Sequence, residues 1–406
     1  MQNKKIPLLL IATLVCGMTA CQPPSADTDS TTSTDNTESS DTTSLTEAKT
    51  PRAMTSAIVE LSEYSLREKL ICSKLDDAIS AVGNKSEIKD VTTVQHQISA
   101  CLPAADNSQI LQWLTDYQSM YDRFLQTTSS TDNAAFYTLM RTIERDESIT
   151  VAQLKQVSPR VRYLVGLIRG KADISVRYLG GGDYEFHHNL IAMAELFSPY
   201  LPDDQSEFIE RMAHDNQEIF WFDAAIAFAF EELVERTLFW EDFMKRHPHS
   251  IFYDDASDLF DTYRYLLFFG SDNTQWTDEE VRSFYNSNNE RLMQRLSIRP
   301  NSQLAKDVQT FLDFMEQPDA ERHKQYPTPD TDEQGHKINE SNAAHYQLSK
   351  ALAIPSPWAS ASDGTSRTTS DKNKDCMSGI VCVDKNTTTQ TSQATAPQTT
   401  AQNINQ

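Results

Sequence analysis

Apolar side chains recur at helical spacing through most of the chain between residues 54 and 316, and this periodicity restricts the fold more than any other feature. Ile110, Leu114, Tyr117, Tyr121 and Phe124 step by four, three, four and three residues. On a helix of 3.6 residues per turn they share one face, which must be covered. Ile71, Leu75, Ala78, Ile79 and Val82 form a second stripe, Leu259, Phe260, Tyr263, Leu266 and Leu267 a third, and Leu304, Val308, Phe311, Leu312 and Met315 a fourth. Helix-start signals accompany them. Thr150-Val-Ala-Gln153, Asp204-Gln-Ser-Glu207 and Thr277-Asp-Glu-Glu280 have capping-box form, and Ser158-Pro159 pairs a capping hydroxyl with proline at the first helical position. Only Ile174 to Leu179 alternates in the strand manner, and it runs into Gly180-Gly181-Gly182.

The expectation is an all-α globular multi-helix bundle over 54–316. The triple glycine is the best internal boundary, near 173–183, if there are two helical subdomains. No 34- to 47-residue repeat of a helical solenoid is found. Eleven glycines are few for an α/β enzyme built on glycine-rich loops. Ile219 to Phe230 (IFWFDAAIAFAF) is the densest apolar run and is expected to be a central helix, with Asp223 either paired inside it or restarting it as an N-cap.

The ends differ in composition. Residues 21–53 are Ser, Thr and Asp with almost nothing apolar, as in a disordered tether. Residues 317–340 read as a proline- and charge-rich linker, 341–354 as a short helix, and 355–406 as a disordered Thr/Gln-rich tail. The formal charge is −22, so nucleic acid and anionic headgroups are excluded as natural partners.

At the start of the chain Lys4 and Lys5 precede the ten-residue apolar stretch Ile6 to Val15, and Met18-Thr19-Ala20-Cys21 follows. This segment, residues 1–20 with Cys21 behind them, resembles a bacterial lipoprotein signal peptide and its lipobox. The resemblance implies cleavage before Cys21, a diacylglycerol on its sulfur and an N-acyl chain on its new amino group. These covalent lipids would be the chain's only cofactor-like groups and its link to the membrane. Gln22 stands where aspartate would signal inner-membrane retention, so the resemblance implies the outer membrane, periplasmic or surface-exposed.

After Cys16 and Cys21, four cysteines remain. In an exported chain an even number favours disulfides, Cys72 with Cys101 across a helical hairpin and Cys376 with Cys382 around a small loop. Zinc is the competing idea, without a C-x-x-C knuckle to support it. For metal chemistry the candidates are Glu185 and His188, spaced as E-x-x-H, together with Glu210, His214 and Glu218 at four-residue steps on the next helix. No G-x-S-x-G, G-x-G-x-x-G, P-loop or H-E-x-x-H occurs. The sequence therefore favours a lipid-anchored envelope protein with a non-catalytic binding or assembly role and an envelope protein as partner. A metal-binding protein or metalloenzyme is the alternative, and a solute-binding receptor the next.

Overall fold

The stripe from Ile110 to Phe124 folds as its spacing requires, and that from Ile71 to Val82 does so in part, with Ile71 exposed. Helix α1 (Leu75–Ala81) buries Leu75 and Ile79, α2 (Ile88–Cys101) buries Val91, Val94 and Ile98, and α3 (Asn107–Leu125) buries all five members of the stripe from Ile110 to Phe124. Asp106 caps α3, its carboxylate accepting from Gln109 N at 2.9 Å. The computed structural model describes residues 69–127, 134–332, 335–358 and 376–383, all within a compact unit spanning 57–406. Cys21, the signal, the tether 21–53 and the tail beyond 383 lie outside the described residues. Cys72 and Cys101 are bonded, with Cα atoms 5.6 Å apart, and α1 packs on both α2 and α3.

Helices α4 (Ala134–Glu144), α5 (Val151–Gln156) and α6 (Pro159–Arg169) follow. Thr150 and Gln153 make the expected capping box, and Ser158 Oγ accepts from Val161 N at 3.2 Å with Pro159 at the first helical position. Strands β1 (Ile174–Gly180) and β2 (Asp183–His188) then pair antiparallel, from Ile174 opposite His188 to Tyr178 opposite Tyr184. Gly180, Gly181 and Gly182 all have positive φ, so the triple glycine is the tip of this hairpin. Buried apolar side chains from before and after it belong to one cluster, with α3 packed on β2 and α4 on both strands.

Beyond the hairpin come α7 (Leu190–Phe197), α8 (Asp203–Asn216), β3 (Trp221–Phe222), β4 (Ala225–Ile226), α9 (Phe230–Arg246) and α10 (Tyr253–Phe269). The last four are α11 (Ser287–Ser297), α12 (Gln303–Glu316), α13 (Asp319–Gln325) and α14 (Glu340–Leu352). Helices α9 and α10 pack along each other, as do α11 and α12, and α14 lies on α12. The fold is thus mostly helical, and the all-α expectation is corrected by two small two-stranded sheets. Among the described residues no helix is long and apolar enough to cross a membrane.

Four local expectations are corrected. Ile219 to Phe230 is not a central helix: β3 and β4 pair within it, Asp223 and Ala224 form the exposed turn at φ 47° and 60°, and α9 starts only at Phe230. A short apolar run has no polar face to reveal its period, and Phe220, Trp221 and Phe222 favour extended backbone. Asp223 therefore neither caps a helix nor sits buried in one. Thr277-Asp-Glu-Glu280 does not cap a helix, because the Asp278 carboxylate accepts from Arg282 N (2.8 Å) and Ser283 N (2.9 Å), closing a loop in which Thr277 bridges Phe284. Asp204 is already inside α8, which Pro202 precedes without a side-chain cap.

The fourth concerns the segments read as linker and tail. Arg322 of α13 is 1% exposed and donates to the carbonyls of Phe314 (2.7 Å), Met315 (3.1 Å) and Val281 (3.0 Å). It thereby satisfies acceptors at the C-terminus of α12 that the helix itself leaves open. Within 355–406, residues 376–383 are docked. Met377, Val381 and Val383 are buried, and Cys376 and Cys382 are bonded. Gln118 of α3 donates to Val381 O (3.0 Å) and accepts from Val381 N (2.8 Å). Asn216, fully buried at the end of α8, donates Nδ2 to the carbonyls of Cys376 and Ile380, and its own carbonyl accepts from Gly379 N at 2.9 Å. Gly379 has φ 77°, a left-handed backbone that favours glycine, and lies against the Arg177 guanidinium.

Candidate functional site, a half-open polar cavity

Two tyrosines one helical turn apart in the α3 stripe carry hydroxyls into an otherwise apolar face. Tyr117 and Tyr121 are 3% and 2% exposed, with ring centroids 5.2 Å apart. Gln95 of α2 reaches both hydroxyls, donating Nε2 to Tyr117 at 2.7 Å and to Tyr121 at 3.3 Å. His188, the last residue of β2, stacks on Tyr121 at 4.6 Å with 16° between ring planes. These groups surround a cavity of about 140 Å³. Asp173, just before β1, is exposed at its edge, and α7 closes the opposite wall with Ala192, Met193 and Leu196.

The local backbone explains why these residues meet. Asn189 N donates to Asp173 O at 3.0 Å, which ties the end of β2 to the start of β1. Asn189 then caps α7, its Oδ1 accepting from Ala192 N at 3.1 Å. One short junction therefore fixes Asp173, His188 and the α7 wall relative to each other.

Burial keeps the interior uncharged. The His188 ring is 3% exposed, and burial, reinforced by the nearby Arg177 cation, pushes its pKa down to about 3. Burial also raises the Tyr117 and Tyr121 phenols above their ordinary value. His187 behaves like its neighbour, lowered to about 2 by burial and then by Arg177. The Nε2 atoms of both histidines are buried without a hydrogen-bond partner. At neutral pH such an imidazole is a poor proton acceptor and such phenols are poor donors, so the lining suits recognition better than proton transfer. A wider and shallower depression of about 520 Å³, with Glu231, Arg291 and Ile298 on its rim, contains no buried polar side chain.

The proposed metal ligands are not brought together. Glu185 and His188 lie on a strand, where residues three apart point to opposite faces, and the helical premise behind E-x-x-H fails. Glu185 faces Arg177 across the hairpin, accepting from its Nε at 2.9 Å, while His188 turns inward. Glu210 and His214 are exposed on α8, and Glu218 is exposed beyond its end. Among the described residues no group of three or more His, Cys, Asp or Glu is placed to hold a metal ion. Of the cavity's residues the sequence had singled out His188 as a metal candidate and Tyr117 and Tyr121 as core. The signal for the site was the pair of hydroxyls at i and i+4 inside a core stripe. Comparison with family models, with curated proteins and with solved structures finds no match to this chain.

Proposed function

We propose that this protein is a lipid-anchored lipoprotein of the cell envelope, held to the outer membrane through Cys21, whose helical domain binds a small solute without transforming it. The observation that carries the binding role is the half-open cavity itself. It has one apolar wall, two hydroxyls and an amide on the other, and a buried neutral histidine with an unpartnered nitrogen. A few convergent polar groups in a concave apolar setting are the ordinary makings of a ligand site, and the depressed basicity of His188 argues for binding over acid–base catalysis. The anchor rests on the signal-like segment and Cys21.

Thermal melts of the full mature protein in detergent, with a panel of small solutes, test the binding role. At least one solute is expected to raise the wild-type melting temperature and to leave Ala192→Leu, whose larger side chain fills the cavity, unmoved. A panel that moves neither protein, or both equally, would remove the cavity from consideration. For the anchor, Cys21→Ala is expected to lose detergent-phase partitioning and acyl-chain mass. Persistence of both would show that the signal has been misread.

A further inference from the structure

The charge inventory of the cavity narrows what it takes, on the reading that it is a ligand site. Among the described residues no lysine or arginine lines it. The nearest cation in the electrostatics of His188 is Arg177, which is ion-paired with Glu185. The only acidic lining residue is Asp173, exposed at the edge. An anionic ligand would meet that carboxylate with nothing to balance it, and a neutral one would gain little from it. A cation gains from the carboxylate and from the tyrosines of the lining, Tyr117 and Tyr121. A protonated primary amine also gains from His188, because a neutral imidazole always retains one bare nitrogen that accepts an N–H donor. A chain of net charge −22 draws cations toward such an opening. The volume sets the size: about 140 Å³ is close to the roughly 150 Å³ that holds benzene.

We infer that the cavity binds a small organic ammonium ion of about six to eight non-hydrogen atoms, its charged end toward Asp173 and the Tyr117–Tyr121–His188 wall and its apolar part against Ala192, Met193 and Leu196. Free solute is the source the geometry favours. In a membrane phospholipid the ammonium lies one short linker from a phosphate, which would be brought up against Asp173.

Calorimetric titration of the full mature protein in non-ionic detergent at neutral pH tests this with three molecules of one shape. These are choline, its uncharged isostere 3,3-dimethylbutan-1-ol, and the anion 3,3-dimethylbutanoate; pentylammonium and pentan-1-ol form a second pair. The expected result is saturable binding of at least one ammonium ion, with its neutral and anionic counterparts weaker by about tenfold or more. Asp173→Asn, a substitution at an exposed side chain, is expected to weaken the cation by about fivefold and leave the alcohol unchanged. If the alcohol or the carboxylate binds as tightly, or if Asp173→Asn has no effect on the cation, the inference fails while the ligand site stands. If no ammonium ion binds but another solute protects wild type and not Ala192→Leu, the same holds. If no solute of any kind distinguishes those two proteins, the ligand site fails with it. Binding to phosphatidylcholine vesicles by Cys21→Ala protein, without binding of free choline, would overturn the choice of a free solute.

Discussion

The two disulfides do different work. Cys72 and Cys101 are 29 residues apart and join neighbouring helical segments that their own apolar stripes already bring together. Cys376 and Cys382 are only six residues apart, yet the loop between them docks on Gln118 and Asn216, more than 150 residues away in sequence. Closing the larger loop acts mainly by removing freedom from the unfolded chain. The small ring constrains less of the unfolded chain. Its contribution is to hold a loop in the shape that hydrogen-bonds two buried amides and covers Arg177. Covalent reach along the sequence and structural reach across the fold are therefore separate properties, and each can be broken on its own.

Ending the chain after Trp358 is the strongest way to break the comparison. Met377, Val381 and Val383 would leave the core, each worth roughly 1.5–3 kcal/mol, partly offset by release of the ordered loop. Gln118 and Asn216 would lose their partners at the same time. A loss on the order of 5 kcal/mol is expected in urea unfolding. A loss below about 1 kcal/mol would show that the loop does not dock.

Acid should separate the two regions next. His187 and His188 have folded pKa values pushed far below that of an unfolded histidine, near 6.5. Between the two values the unfolded chain binds protons that the folded chain does not, so stability falls as pH drops through about 6.5 and goes on falling toward the folded values near 3. At pH 5 the loss is about 2 kcal/mol per histidine relative to pH 8, or about 4 for the pair. Urea midpoints for wild type and His188→Phe, measured at both pH values, check this. The variant should keep only about half of the wild-type loss. Equal losses would mean that His188 is not held neutral by burial.

Replacing Cys72 and Cys101 together by serine has the next largest expected effect. For a loop of this size the chain-entropy estimate is about 3.5 kcal/mol. The same double change at Cys376 and Cys382 should cost about 1 kcal/mol less on chain entropy alone. If the small ring proves costlier in parallel melts, its importance lies in shaping the docked loop, and the contrast drawn above is sharpened.

The stripes of α1 to α3 were legible because helical periodicity is local: Ile110 to Phe124 state their own geometry. The strand over Ile174 to Leu179 was legible for the same reason, with period two. What was not legible was partnership. Val381 sits in the short apolar run CMSGIVCV, flanked on both sides by Asp, Lys and Asn, and its place comes from the distant Gln118. The cavity collects Gln95, Tyr117, Asp173 and His188 from four separate elements, and no spacing in the sequence joins them. Glu185 and His188 misled because the spacing that unites two residues on a helix divides them on a strand. In Ile219 to Phe230 the apolar residues alone do not choose a backbone, and the turn at Asp223-Ala224 decides it.

That turn offers the smallest and most local prediction. It belongs to the docked region, since Phe220 N, just before β3, donates to Ser378 Oγ of the disulfide loop at 3.0 Å. Ala224 has φ 60°, where a Cβ costs about 1–2 kcal/mol that glycine avoids. Glycine also loosens the unfolded chain, which takes back about 0.4–1 kcal/mol. Ala224→Gly should therefore stabilise the protein by about 0.5 kcal/mol net, visible as a rise of about 1–2 °C in melting temperature. Ala224→Val carries a β-branched side chain into the same backbone conformation and should lower it by more than that. If the two variants shift stability in the opposite sense, with valine favoured and glycine costly, the segment is helical after all. Phe220 would then present its backbone to the helix ladder, and the disulfide loop would lose one of the contacts by which it reaches across the fold.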